Sequence, residues 1–86
     1  MTTIKRPLDN LNRIVIPKSI RESLGITDHI GISTENNKII LAKGIGKEIE
    51  VDKLGRVRIP KSIRAKLELN IRDELEISAA IIIIKE

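Results

Sequence analysis

Ile16-Pro17-Lys18-Ser19-Ile20-Arg21 is repeated, residue for residue, as Ile59-Pro60-Lys61-Ser62-Ile63-Arg64, 43 positions later. The same offset pairs Asp9 with Asp52, Leu11 with Leu54, Arg13 with Arg56 and Leu24 with Leu67. Ten of the nineteen positions from 6 to 24 are identical to those from 49 to 67, which marks a duplicated unit. The join, Lys43-Gly44-Ile45-Gly46-Lys47, holds two glycines suited to a turn but is too short to let two finished domains move apart. The expected organisation is therefore a first repeat at 1–43 and a second at 44–86, interlocked into one compact domain.

Each repeat reads the same way. An extended segment comes first, Ile4 to Asp9 and Glu48 to Asp52; in the second, Ile49 and Val51 alternate with acids at strand period. A tight turn follows at Asn10-Leu11-Asn12 and at Lys53-Leu54-Gly55. Asn12 and Gly55 stand at equivalent positions, and Asn and Gly are the residues that most easily take a positive φ. A second strand covers Arg13–Ile16 and Arg56–Ile59, ended by Pro17 and Pro60, residues that fit a first helical turn. Short helices are predicted to run to Leu24 and Leu67. Their i,i+4 pairs, Ile20 with Leu24 and Ile63 with Leu67, are expected on the core face, with Lys18, Arg21, Lys61 and Arg64 on another. Gly25 should stop the first helix, whereas Glu68 occupies that place in the second. A closing hairpin ends each repeat: Ile30 and Ile32 through Glu35-Asn36-Asn37-Lys38 to Ile39-Ile40-Leu41, then Leu75 and Ile77 through Ala79-Ala80 to Ile81–Ile84. A run of isoleucines needs cover on both faces, and about 40 residues supply little core of their own, so the two copies should share one.

The chain has no Phe, Tyr, Trp or Cys, so its core must be aliphatic and neither disulfides nor thiolate ligands can brace it. With 41% hydrophobic and 33% charged residues it is too apolar for disorder. The segment Met1–Pro7 lacks a signal-peptide stretch, and the longest apolar run, Ala79–Ile84, is six residues, well below a membrane span. A cytoplasmic protein is the expectation. The net charge of +4 is unevenly spread. Residues 5–21 carry +4 and residues 53–66 carry +6, leaving −6 on the remainder. Solvated faces explain single basic clusters, but two segregated in the same way point to a polyanionic partner.

The strings Arg6-Pro7-Leu8-Asp9-Asn10-Leu11-Asn12-Arg13-Ile14-Val15-Ile16-Pro17-Lys18-Ser19-Ile20-Arg21 and Val51-Asp52-Lys53-Leu54-Gly55-Arg56-Val57-Arg58-Ile59-Pro60-Lys61-Ser62-Ile63-Arg64 both resemble the AbrB/SpoVT (MazE-like) family of swapped-hairpin DNA-binding domains. The resemblance implies a mainly β fold with two short helices. Two β-β-α-β-β repeats would exchange hairpins to form one barrel, here as a single-chain pseudo-dimer. It also implies a function: binding of double-stranded DNA, as a transcription regulator or an antitoxin half. The family's DNA-contacting arginines match Arg6, Arg13 and Arg21 in the first copy, and Arg56 and Arg64 in the second. Ile49 takes the position of Arg6, Arg58 that of Val15, and Lys66 that of Ser23, while Glu22 and Ala65 stand where a second helical basic residue is common. These departures make the two half-sites chemically unequal and point to an asymmetric DNA site.

The candidate DNA-binding residues are thus Arg6, Arg13, Lys18, Arg21, Arg56, Arg58, Lys61 and Arg64. Arginine forks bind phosphates or base edges bidentately, and cations tracking a duplex release counterions. Absence of aromatic residues argues against single-strand binding, which relies on stacking. No cofactor, metal or small-molecule substrate is expected. His29 is the single histidine and reads as a surface loop residue beside Asp28, without partners for a metal site. Ser19 and Ser62 have no His base near them in sequence, and Asp73, Glu74 and Glu76 read as a solvated strand start, so an enzyme is not expected. The alternative is a protein-interaction module, antitoxin-like or a barrel adaptor, that does not bind DNA. Self-association also remains open to the fold.

Overall fold

The computed structural model describes residues 3–78 and 82–85, with side chains described for 4–78. The first half contributes strands β1 (Thr3–Pro7) and β2 (Arg13–Val15), helix α1 (Lys18–Ser23), and strands β3 (His29–Glu35) and β4 (Lys38–Ala42). The second half repeats that order with β5 (Lys47–Glu50), β6 (Arg56–Arg58), α2 (Lys61–Lys66), β7 (Glu74–Ser78) and β8 (Ile82–Lys85). The protein is mainly β, with two short helices and antiparallel sheets.

Turn chemistry explains where β1 gives way to β2. The Asp9 carboxylate accepts the backbone N–H groups of Leu11 (2.9 Å) and Arg13 (2.8 Å), and Asp52 accepts those of Leu54 (3.0 Å) and Arg56 (2.8 Å). The two aspartates therefore belong to the turns rather than to the strands before them. Asn12 and Gly55 take φ of 60° and 81°, the left-handed conformation expected of that shared position. Pro17 and Pro60 then sit one residue before six-residue helices, with φ of −53° and −58°. Both helices end alike. Ile26 N–H donates to the Arg21 carbonyl (2.9 Å) and Leu69 N–H to that of Arg64 (2.9 Å), over a left-handed Gly25 and a left-handed Glu68. This is the Schellman arrangement, and in the second copy Glu68 adopts it without the freedom of a glycine. One expectation is corrected here. Leu24 is 43% exposed, so the residue that α1 turns into the core is Ile20, whereas the equivalent Leu67 is half-buried against the core as expected.

The hairpin between β3 and β4 turns through Asn36 and Asn37, both left-handed, and closes with Glu35 opposite Lys38. The corresponding turn at Ala79-Ala80 lies outside the described residues. The helix-to-strand connection is longer in the second half: β7 begins at Glu74, where the repeat spacing alone would start it at Arg72. That longer connection docks on the first half, with Arg72 N–H donating to the Leu8 carbonyl (2.7 Å) and Leu8 N–H to that of Asp73 (2.9 Å).

The strands pair mostly across the two halves. A six-stranded sheet runs β1-β7-β8-β4-β3-β5, and β2 with β6 forms a separate two-stranded ribbon. Exchanging the halves reads the six-stranded order backwards, so the arrangement is palindromic. Strands β1 and β5 stand at the two ends of that sheet, and no closed barrel forms among the described strands. The expected barrel is thus a strongly cross-paired open sheet packed on a ribbon. Between them lies one aliphatic core: Leu8, Ile14, Ile16, Val57, Ile59, Leu75 and Ile77 from both halves are at most 1% exposed. Neither half could keep these residues from water alone, since their partners come from the other. Gly31 in β3 permits a further close approach. A Cβ there would lie 2.7 Å from the Ala42 carbonyl oxygen and closer still to that of Ile45, so the join between the repeats rests on β3 backbone.

Candidate nucleic-acid interface

The β2–β6 ribbon sets Arg13 opposite Arg58, Ile14 opposite Val57 and Val15 opposite Arg56. Two reciprocal bonds extend it, Ile16 N–H to the Gly55 carbonyl (2.8 Å) and Ile59 N–H to that of Asn12 (2.9 Å). Ile14 and Val57 are equivalent residues, face each other and are fully buried. Strand alternation puts Arg13, Val15, Arg56 and Arg58 on the opposite, outer face, where the first and third are half-buried and the other two exposed.

Each turn holds its arginine. Arg13 Nε donates to Asp9 Oδ2 at 2.9 Å, and Arg56 Nε to Asp52 Oδ2 at 2.6 Å. Burial disfavours ionisation of Asp9, but the N–H groups of Arg13 and Leu11 and the Arg13 guanidinium outweigh it and hold the carboxyl below its ordinary value. For Asp52 the Arg56 N–H is the main cause of the same lowering, with the Arg56 guanidinium and the Leu54 N–H adding to it. Ion pairs this exposed contribute little to stability, because water screens them. Their larger effect is on direction: a guanidinium fixed through Nε keeps its terminal Nη groups out of that anchor and aimed as a fork.

The helical arginines follow the same rule with a different acceptor. Arg21 Nε donates to the Ile16 carbonyl (2.9 Å) and Arg64 Nε to that of Ile59 (3.0 Å). The acceptor is in each case the residue before the proline, where the strand has ended and a carbonyl is free. Arg21 also crosses to the other half. Its Cζ and Nη2 lie 2.5 Å and 2.8 Å from where a Cβ of Gly55 would be. The first helix's arginine therefore lies over the turn that presents Arg56, and the repeat arithmetic alone does not reveal this. The identity of Asp9 with Asp52 was the sequence signal for the anchors; Arg21 on Gly55 had none.

Arg58, Lys61 and Arg64 line one groove of about 560 Å³ together with Lys47, Glu48 and Glu50 from β5. Lys47 could not have been placed there from sequence, because it reaches the groove through a strand paired with the other half. Lys18 is the exposed first residue of α1, as Lys61 is of α2. Arg6 stands apart: it lies on β1 opposite Leu75, its Nη1 donates to the Lys5 carbonyl (2.9 Å), and among the described residues no hydrogen bond or ion pair joins it to the other seven. Ile49, its counterpart, packs partly against the core opposite Ile30. His29 is exposed, with Nδ1 3.3 Å from Asp28 Oδ1. Ser19 and Ser62 are exposed, and neither helix has a side-chain cap. Among the described residues no three His, Cys or acidic side chains gather in a metal-like group, and no helix is long and apolar enough to cross a membrane.

No protein-family model and no curated protein sequence matches the chain. Among solved structures, the solution structure of PHS018 from Pyrococcus horikoshii is similar, with a TM-score of 0.59 at 19% identity, covering 96% of this chain and 88% of that one. At that identity the likeness concerns the fold alone.

Proposed function

We propose that this protein binds double-stranded DNA as a transcription regulator of the AbrB/SpoVT type, its two repeats acting as a single-chain swapped-hairpin pseudo-dimer in the cytoplasm. The cross-half pairing of β1 with β7, β2 with β6 and β3 with β5 supports the pseudo-dimer reading. The observation that carries the function is the outer face of the ribbon. Three of its four positions are arginines, and Arg13 and Arg58 face each other directly. Like charges opposite one another destabilise a sheet, and the Asp9 carboxylate beside Arg13 offsets this only in part, so a polyanion over this face would relieve what is left. Arg13 and Arg56 are held by their aspartates, Arg21 and Arg64 by backbone carbonyls, which spares a ligand the entropy of ordering four long side chains. Phosphate contacts would set the register, with the forks reaching base edges where the groove admits them.

The test is fluorescence anisotropy of a labelled duplex across a salt series. Neutralising four to six phosphates gives a slope of log affinity against log salt of roughly −4 to −5. Arg13→Ala with Arg56→Ala should make that slope shallower by about 2 while leaving the fold intact. Absence of binding even at low salt overturns the proposal. One observation favours a protein partner instead: Leu11 and Leu54, at equivalent turn tips, are 55% and 64% exposed. On that reading Leu11→Ser with Leu54→Ser would abolish partner capture, and no duplex would bind.

A further inference from the structure

The two halves share a backbone plan but not a charge pattern. Under exchange of the halves Arg13 and Arg56 replace each other, whereas Arg58 replaces Val15. Arg13 and Arg56 each face a carboxylate, so their charge is partly compensated at home. Among the described residues the Arg58 guanidinium has no hydrogen bond or ion pair, and its counterpart Val15 is 37% exposed with no charge at all. The uncompensated charge of the ribbon is therefore off its axis, on one side. The groove that Arg58 lines also holds Lys61 and Arg64, but these have equals in Lys18 and Arg21, so of its three ribbon and helix cations Arg58 is the one the first half lacks.

We infer that Arg58 fixes the orientation of the protein on DNA: the second half anchors, the first half follows, and the recognised duplex site is not a palindrome. The inference rests on the DNA-binding reading above. A symmetric pair of half-sites binds a pseudo-dimer equally well in two orientations, and that degeneracy is lifted only by contacts one half makes and the other lacks. Arg58 against Val15 is such a contact. A guanidinium at that point can pair bidentately with a guanine edge or clamp a phosphate, whereas a valine offers at most a thymine methyl contact.

Reciprocal variants test this, since both positions are exposed and tolerate exchange without disturbing the core. Duplexes are selected from a randomised pool with the native chain, Arg58→Val and Val15→Arg, and salt slopes are measured on the winners. The native chain should enrich a non-palindromic consensus. Arg58→Val should weaken binding to it about tenfold and make the slope shallower by about 1, while Val15→Arg should steepen the slope by about 1 and drive the consensus towards an inverted repeat. A palindromic consensus from the native chain, or one unchanged in symmetry by Val15→Arg, overturns the inference and leaves DNA binding standing. No enrichment and no salt-dependent binding overturns both.

Discussion

Gly55→Ala should cost this small protein about 2 kcal/mol, and half of that should disappear when Arg21 is removed. Gly55 has φ of 81°, which a residue with a Cβ adopts at a cost of roughly 1 kcal/mol or a little more. The added Cβ would also lie 2.5 Å from Arg21 Cζ and 2.8 Å from Nη2. Because that atom group is the far end of a flexible side chain, the backbone need not yield; Arg21 swings away instead. Doing so breaks its 2.9 Å bond to the Ile16 carbonyl, a loss of about 1 kcal/mol. In an Arg21→Ala background nothing opposes the Cβ and only the backbone cost remains, so the two substitutions should couple by about 1 kcal/mol. Urea unfolding of the native chain, both single variants and the double variant measures each corner of that cycle. In heating experiments each kcal/mol corresponds to roughly 4–8 °C for a domain of this size. Equal costs of Gly55→Ala in both backgrounds would refute the placement of Arg21 over the opposite turn, and with it the composite character of the arginine face.

The turns and the join carry further expected outcomes. Asp9 and Asp52 have carboxyls lowered in the folded state, so their contribution is present above the ordinary unfolded value of about 3.9 and is lost as pH falls through the lowered ones. The urea midpoint of the native chain should therefore drop below about pH 4, and Asp9→Asn with Asp52→Asn should flatten that drop; an equally steep fall would mean other carboxylates carry it. Asp28 keeps part of the acid sensitivity in that variant, because its own backbone N–H and His29 also hold it below its ordinary value. Gly31→Ala should cost about 3 kcal/mol or prevent folding, since the Cβ meets the backbone carbonyls of Ile45 and Ala42. Gly44→Ala, where a Cβ meets nothing but φ is 77°, should cost only about 1 kcal/mol. Similar costs at the two glycines would show that the join does not rest on β3.

Much of the local structure was legible because its causes are local. An Asp three residues before a Gly or Asn makes its own turn, a proline followed by a helical stretch marks a helix start, and Asn36-Asn37 closes a two-residue hairpin. The repeat itself, and hence the equivalence of Arg13 with Arg56 and of Arg21 with Arg64, needs no structure at all. Boundaries drifted where a side chain's role depends on the course of the chain beyond it. Asp9 and Asp52 close segments that read as extended and are turn acceptors, and Leu24 has the spacing of a core residue but is exposed, unlike its equivalent Leu67. Glu68 shows the opposite case, taking a glycine's conformation between the helix end and the buried Leu69, whose N–H closes on the Arg64 carbonyl.

By itself the sequence determined the duplication, the turn chemistry, the glycine cap of the first helix, an aliphatic core and the set of candidate arginines. Tertiary structure alone decided which strands pair across the halves, that Arg21 lies over Gly55, that Lys47 joins Arg58 and Lys61, and that Arg6 stands apart on another sheet. The reason is physical. Turns and caps close hydrogen bonds within a few residues, so their residue types report them. Strand pairing exchanges backbone groups that every residue carries, and which pairs form depends on how both halves together exclude water from one core.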